Sequence, residues 1–279
     1  METLPIFRRD TPTPEELAAF DDDGYIAFPD ILTEAGQEGL TQEIVQMAEV
    51  QAFLQAAEQE PDSHSKIHFV RPWNNRGYWS NLLIDAPLIT TLLQTTIGPD
   101  YHFCHSSFNV ALRGAERVPF HQDHHHWFHT NPVNLAERDK KYIQVLYYPN
   151  GFTAGDRSLS VIPGSHRVAP TADVTPERLL AGEFDAQAQR SLRQVYLSLP
   201  PGSMVYLNAR MFHGVEPKPL DSPDAYRLFA IDIFKEAGPP HRYTQEIPPH
   251  WLEHASAARK KLFLRDAYSP ERWQIPVVE

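Results

Sequence analysis

The residues best suited to chemistry lie in Val118-Pro119-Phe120-His121-Gln122-Asp123-His124-His125-His126-Trp127. His121-x-Asp123 sets an imidazole and a carboxylate two residues apart, and on a β-strand such residues face the same side. Phe212-His213-Gly214, far downstream, offers a third donor. Two His and one carboxylate on one face of a metal leave the opposite face open, the ligand set of a non-haem Fe(II) oxygenase. A lone His-x-Asp also arises as a hydrogen-bonded surface pair. The chain is histidine-rich, with half of its 14 His between His102 and His129. The His124-His125-His126 run suits either an adventitious metal site or a solvated loop, so the pair takes its meaning from the elements around it.

Composition narrows the function classes. The chain has 279 residues, enough for one large domain or two small ones, and its 25 Pro against 13 Gly suggest stiff loops around short strands. A formal net charge of −11 without a basic run argues against nucleic acid or anionic membrane as partner. The single cysteine, Cys104, forms no intramolecular disulfide and fits a reducing compartment, so a cytoplasmic location is expected. Cys104 lies in an apolar, strand-like run and reads as a small buried hydrophobe rather than a nucleophile. No apolar run approaches a membrane span. The start, Met1-Glu2-Thr3-Leu4-Pro5-Ile6, has neither the basic nor the apolar region of a signal peptide.

The elements that must position these donors follow from capping and periodicity. Thr13-Pro14-Glu15-Glu16 is a capping box opening a helix to about Phe20, and Tyr25 to Phe28 reads as a strand. Thr33 caps a long helix with Leu40, Ile44, Met47, Val50 and Leu54 on one face. Residues 60 to 80 are polar and irregular, with His64, His68, Arg71, Trp73, Arg76 and Trp79, and fit a surface loop or part of a substrate wall. Pro87 to Ile97 is helical. From Tyr101 to Leu112 the period is two, with Phe103, His105, Ser107 and Asn109 on one side. Further strands are expected at His121, Tyr142–Tyr148, 159–162, 195–199, 203–207 and 226–234. Residues 175 to 190 and 251 to 263 are expected to be helical. About eight short strands without βαβ alternation suggest a sandwich or barrel, here a jelly roll, which brings His213 to His121 and Asp123. The expected organisation is mostly β with flanking α-helices: one domain over 1–279, with a helical part about 13–98, a cupin-like jelly-roll core about 101–235, and a C-terminal helix and tail about 236–279.

Four features in order resemble the phytanoyl-CoA dioxygenase family of iron- and 2-oxoglutarate-dependent oxygenases, over roughly residues 15 to 235. They are the entry Phe20-Asp21-Asp22-Asp23-Gly24-Tyr25-Ile26-Ala27-Phe28-Pro29-Asp30; His121-Gln122-Asp123 with Trp127 following, as in ectoine hydroxylases; Pro163-Gly164-Ser165-His166; and His213 followed by Arg227. Where the family often carries Asn-Gly-Pro-Leu before the Pro-Gly-Ser-His turn, this chain has Asp156-Arg157-Ser158-Leu159. The spacing from His213 to Arg227 is also longer than usual.

The resemblance implies a double-stranded β-helix, Fe(II) as cofactor with 2-oxoglutarate and O2 as co-reactants, and release of succinate and CO2 as a small organic molecule is hydroxylated. It implies His121, Asp123 and His213 as metal ligands and Arg227 as the partner of the distal carboxylate of 2-oxoglutarate, a role suited to the guanidinium fork. Asn109 and Gln144 fit cosubstrate contacts or ordinary strand positions. Trp127 fits a pocket wall or the core, and His126 the loop between metal and substrate mouth. Trp73 belongs to the possible substrate wall. Arg117, like Arg113, fits an anion-receiving or a solvent-facing turn position. Ser165 and His166 read as turn-stabilising. A peptide or protein hydroxylase on the same fold is an alternative, as is a cupin-like metal protein without oxygenase activity, such as a zinc hydrolase. Asp123 argues against halogenation, since halogenases of related fold have a small residue and a halide there. No basic cluster suits the phosphates of CoA.

Overall fold

The computed structural model describes residues 5–59, 65–71, 77–123, 141–169, 171, 173–236, 249–253 and 255–263. Helix α1 (Pro14–Asp23) opens with the expected capping box: Thr13 Oγ1 accepts from the Glu16 N–H while the Glu16 carboxylate accepts from the Thr13 N–H. Such a cap contributes about 1 kcal/mol. Gly24 ends the helix at φ 87° and feeds β1 (Tyr25–Phe28). Thr33 caps α2 (Glu34–Val45), which is followed by α3 (Ala48–Gln59), β2 (Ile67–Val70), α4 (Tyr78–Leu82) and α5 (Pro87–Thr96).

The strands then take over. β3 (Tyr101–Leu112), β4 (Val118–His121), β5 (Tyr142–Tyr148) and β6 (Leu159–Val161) lead to short helices α6 (Pro176–Leu180) and α7 (Asp185–Ala188). β7 (Val195–Tyr196), β8 (Ser203–Asn208), β9 (His213–Val215) and β10 (Tyr226–Glu236) complete the sheets, and α8 (His250–Glu253) and α9 (Ala257–Phe263) follow. Six strands form a major sheet in the order β1-β8-β5-β10-β3-β2, and four form a minor sheet in the order β4-β9-β6-β7.

One large core lies between the outer face of the major sheet and the helices, where Phe28, Phe108, Tyr147, Tyr206 and Phe234 meet Leu40, Ile44, Leu88 and Leu92. A second fills the space inside, with Leu146, Tyr148 and Ile231 of the major sheet against Leu159 and Val161 of the minor sheet. Each large side chain so buried contributes roughly 1.5–3 kcal/mol. Strand β5 is covered on both faces, and all seven of its residues are buried, which explains why Gln144 alone interrupts its apolar and aromatic run. The inner face is read from the register: Arg227, Phe229, Ile231 and Ile233 on β10 stand beside Ala111, Asn109, Ser107 and His105 on β3.

Several local expectations are corrected. The helix after Thr33 is two helices, broken at Gln46-Met47. On an unbroken helix Phe53 would point about 140° away from Leu40. The break turns Phe53 inward, where it is buried and stacks on His68 at 5.1 Å. Residues 60 to 80 include β2 and α4 rather than loop alone. A bulge opposite Ile233/Phe234 resets the alternation of β3, so Phe103 pairs with Phe234 on the outer core while His105, Ser107 and Asn109 face inward. Gly182, at φ 81°, separates α6 from α7 within the expected 175–190 helix. Strand β7 is only two residues long, and the C-terminal helix is divided into α8 and α9.

Candidate metal centre

The two sheets bring the sequence-distant donors together. β4 and β9 run antiparallel, with His121 directly opposite His213, and their ring centroids are 4.4 Å apart. The strand ends at His121, so Asp123 does not share a strand face with it as expected but stands in the turn beyond. Between them Gln122 is buried and its amide donates to the Arg210 carbonyl, tying the turn to the segment that leads into β9. A register shift within β4 places this irregularity beside the site, a common use of a bulge.

Both imidazoles are held in one tautomer. His121 Nδ1 lies 2.8 Å from the Pro119 carbonyl and His213 Nδ1 3.0 Å from that of Met211. A carbonyl only accepts, so each Nδ1 carries the hydrogen and each Nε2 presents a lone pair. Those Nε2 atoms converge on Asp123, at 3.9 Å from Oδ1 for His121 and 3.3 Å from Oδ2 for His213. One donor atom from each residue lies within 4.8 Å of the other two, a spacing that one metal ion spans. Burial would raise the Asp123 carboxyl and lower the His213 imidazole. Their mutual contact, with the nearby His121 imidazole and the Gln144 amide also acting on Asp123, prevails: Asp123 is held well below the usual carboxylate range, and His213 is raised.

Gln144 comes from the major sheet. Its amide donates to Asp123 Oδ2, which engages it with the carboxylate rather than leaving it as an ordinary strand residue. On the inner face it stands beside Leu207 and Ile233. Arg227 is buried further along β10, 3% exposed, with its guanidinium over the rings of Tyr148, Phe152 and Phe229. Its Nη1 donates to the Arg157 carbonyl, while Nε has no partner among the described residues. Burial, reinforced by the Arg157 charge, pushes its pKa down to about 10. Asn109 faces the same space with its Oδ1 unpartnered among the described residues.

The other candidates divide. Arg117 is half-exposed at the far end of β4 from His121 and pairs with Glu216 at 2.6 Å, so it is not brought to the three donors. Arg113 bonds the carbonyls of Ser222 and Pro223. Trp73, His126 and Trp127 lie outside the described residues, as do His64, Arg76, His124 and His125. Of the polar stretch before α4, Arg71 follows β2 and donates to the inward-facing Ser107 at 3.0 Å, His68 packs on Phe53, and Trp79 packs on the main core. Ser165 Oγ accepts from the Phe212 N–H and His166 contacts the Asp21 carbonyl, which are structural contacts of the turn. Gln122 and Arg157 were not legible as site residues, because a buried anchor carries no spacing signal.

The family model for phytanoyl-CoA dioxygenase (PhyH) matches residues 20–218, well over half of the chain and including His121, Asp123 and His213. The chain belongs to the phytanoyl-CoA dioxygenase family. It is therefore an Fe(II)- and 2-oxoglutarate-dependent dioxygenase, with dioxygen as the third reactant. Solved structures share the double-stranded β-helix. EctD from S. alaskensis, with 2-oxoglutarate and 5-hydroxyectoine, superposes with a TM-score of 0.63 at 22% identity, covering 84% of this chain and 81% of that one. The non-heme alpha ketoglutarate dependent carbocyclase SnoK from nogalamycin biosynthesis gives 0.60 at 15% identity, with 91% and 94% covered. HygX from Streptomyces hygroscopicus, with nickel, 2-oxoglutarate and hygromycin B bound, gives 0.56 at 13%, with 85% and 90% covered. Among curated proteins none matches the sequence. For this phytanoyl-CoA dioxygenase family member the donor set suits the cofactors. Two imidazoles and a carboxylate make a donor set that suits iron, and a buried guanidinium with an Nε unpartnered among the described residues suits a dicarboxylate.

Proposed function

We propose that His121, Asp123 and His213 hold the iron, that Arg227 receives the distal carboxylate of 2-oxoglutarate with Asn109 beside it, and that the enzyme hydroxylates a small organic molecule. The observation that carries the reading is the cross-strand pair of His121 and His213, each tied back through Nδ1, with Asp123 between their Nε2 atoms. Bound iron and 2-oxoglutarate supply the oxidising chemistry, with release of succinate and CO2. The chain's residues supply placement. The backbone carbonyls of Pro119 and Met211 fix the imidazoles, Gln144 fixes the carboxylate, and Arg227 neutralises a charge that would be costly to bury alone. The apolar residues inside the sheets, Leu146, Ile231 and Ile233, keep water from the inner face.

A free small molecule is favoured over a CoA ester by the acidic composition, which offers no basic cluster for phosphates. EctD with 5-hydroxyectoine and HygX with hygromycin B are relatives in fold that hold small molecules. We read residues 1–279 as one oxygenase domain, and the single cysteine favours a cytoplasmic location. No helix among the described residues is long and apolar enough to cross a membrane. The test is 2-oxoglutarate-dependent succinate formation across free small molecules, their CoA thioesters and peptides. Stimulation by free small molecules is expected. A consistent preference for thioesters or for peptides would overturn the substrate class.

A further inference from the structure

Arg157 holds a left-handed backbone, φ 53°. Glycine adopts that region freely, whereas a side chain such as arginine is strained there. Its side chain is nevertheless buried, at 2% exposure. The Arg157 N–H donates to the Pro217 carbonyl at 3.0 Å, its own carbonyl receives Arg227 Nη1, and its Nη1 donates to the Glu116 carbonyl. Its Nε reaches no acceptor among the described residues, as is also true of Arg227 Nε. The nearby carboxylates are engaged elsewhere: Asp156 with Lys218 at 2.9 Å, and Glu216 with Arg117 at 2.6 Å.

Two buried guanidiniums thus lie near each other, that of Arg227 bonded to the backbone carbonyl of Arg157 and that of Arg157 to the Glu116 carbonyl, with no carboxylate paired to either among the described residues. Uncompensated buried charge is costly, and strain retained at a buried polar residue points to function. We propose that Arg157 is a second cosubstrate-binding arginine, closing with Arg227 on the distal carboxylate of 2-oxoglutarate. A carboxylate has lone pairs for both forks. The inference rests on Arg227 holding that carboxylate.

The decisive variant is Arg157→Gly, which removes the guanidinium, keeps the carbonyl that receives Arg227, and suits the left-handed backbone. Arg157→Asn serves as a second, since Asn also tolerates that region. 2-Oxoglutarate is titrated without oxygen into each Fe(II)-loaded protein, following the metal-to-ligand absorption band. 2-Oxobutyrate, which lacks the distal carboxylate, is the control probe. Both variants should bind 2-oxoglutarate about tenfold or more weakly, from the loss of charge-assisted hydrogen bonds. 2-Oxobutyrate binding should be unchanged, and the ligand-free glycine variant should melt no lower than wild type. Undiminished 2-oxoglutarate affinity, equal losses for both oxo acids, or failure of both variants to fold would overturn the proposal. Arg227→Ala, titrated in parallel, separates the two claims: if it binds 2-oxoglutarate like wild type, the reading of Arg227 itself has failed.

Discussion

The side-chain amide of Gln144 on β5 donates to Oδ2 of Asp123, which stands beyond the end of β4 in the facing sheet. This bond crosses the interior and aims the one carboxylate of the donor set. Loss of a partner that orients a metal ligand typically costs about 10–100-fold in metal affinity. Gln144→Leu should therefore weaken Co(II) or Fe(II) binding on that scale while leaving the fold intact. Equal affinity in metal titrations of wild type and variant would show that Asp123 is placed without it.

The three proposed ligands should be indispensable. Replacing His121, Asp123 or His213 singly by Ala should abolish succinate formation and strip most of the iron from the purified protein. Metal analysis and turnover check this together. Near-normal turnover in His121→Ala would move the site to the His124 to His126 run.

Arg227 should act on the cosubstrate and not on the metal. Losing one partner of a buried charge pair costs about 3–5 kcal/mol. Arg227→Ala should raise the apparent KM for 2-oxoglutarate by orders of magnitude at unchanged iron content. Arg227→Lys should fall between, because a point charge on a flexible stem replaces a two-pronged donor. An unchanged KM in the alanine variant would remove Arg227 from the pocket.

His166 gives the fold a pH dependence of its own. Its ring packs against Gly24, where an added Cβ would lie 2.5 Å from Nδ1. Burial pushes its pKa down to about 4, against the pull of the Asp21 carbonyl. The unfolded chain therefore takes up the proton first as pH falls. The His166 contribution to stability is complete above the ordinary imidazole value of 6.5 and is lost between there and about 4. Melting curves with EDTA present should show wild type losing more stability than His166→Asn across that window. Parallel curves for the two proteins would refute the assignment.

Much of this is legible in the amino-acid sequence. Capping chemistry marked α1 and the start of α2, and β-branched and aromatic runs marked β5, β8 and β10, because those signals are local. The donor set was legible because His-x-Asp, a distal His and a following Arg keep their order. What escaped depended on packing. Neither Gly nor Pro marks the break at Gln46-Met47, which serves to bury Phe53. The bulge in β3 is fixed by pairing with β10, and sequence alternation alone placed Phe103 on the wrong face. That Asp123 lies past the strand end, held by Gln144, required knowing which strands face each other. Arg117 looked available as a turn residue, yet Glu216 arrives beside it from a distant segment.

The most direct test of the central claim is the absorption spectrum of the Fe(II)-loaded protein as 2-oxoglutarate is added without oxygen, in wild type and in His213→Ala. If His121, Asp123 and His213 hold iron with positions left for the cosubstrate, wild type develops a visible metal-to-ligand band that saturates with 2-oxoglutarate, and the variant shows none. A wild type without the band, or a variant with the full band, would contradict the account.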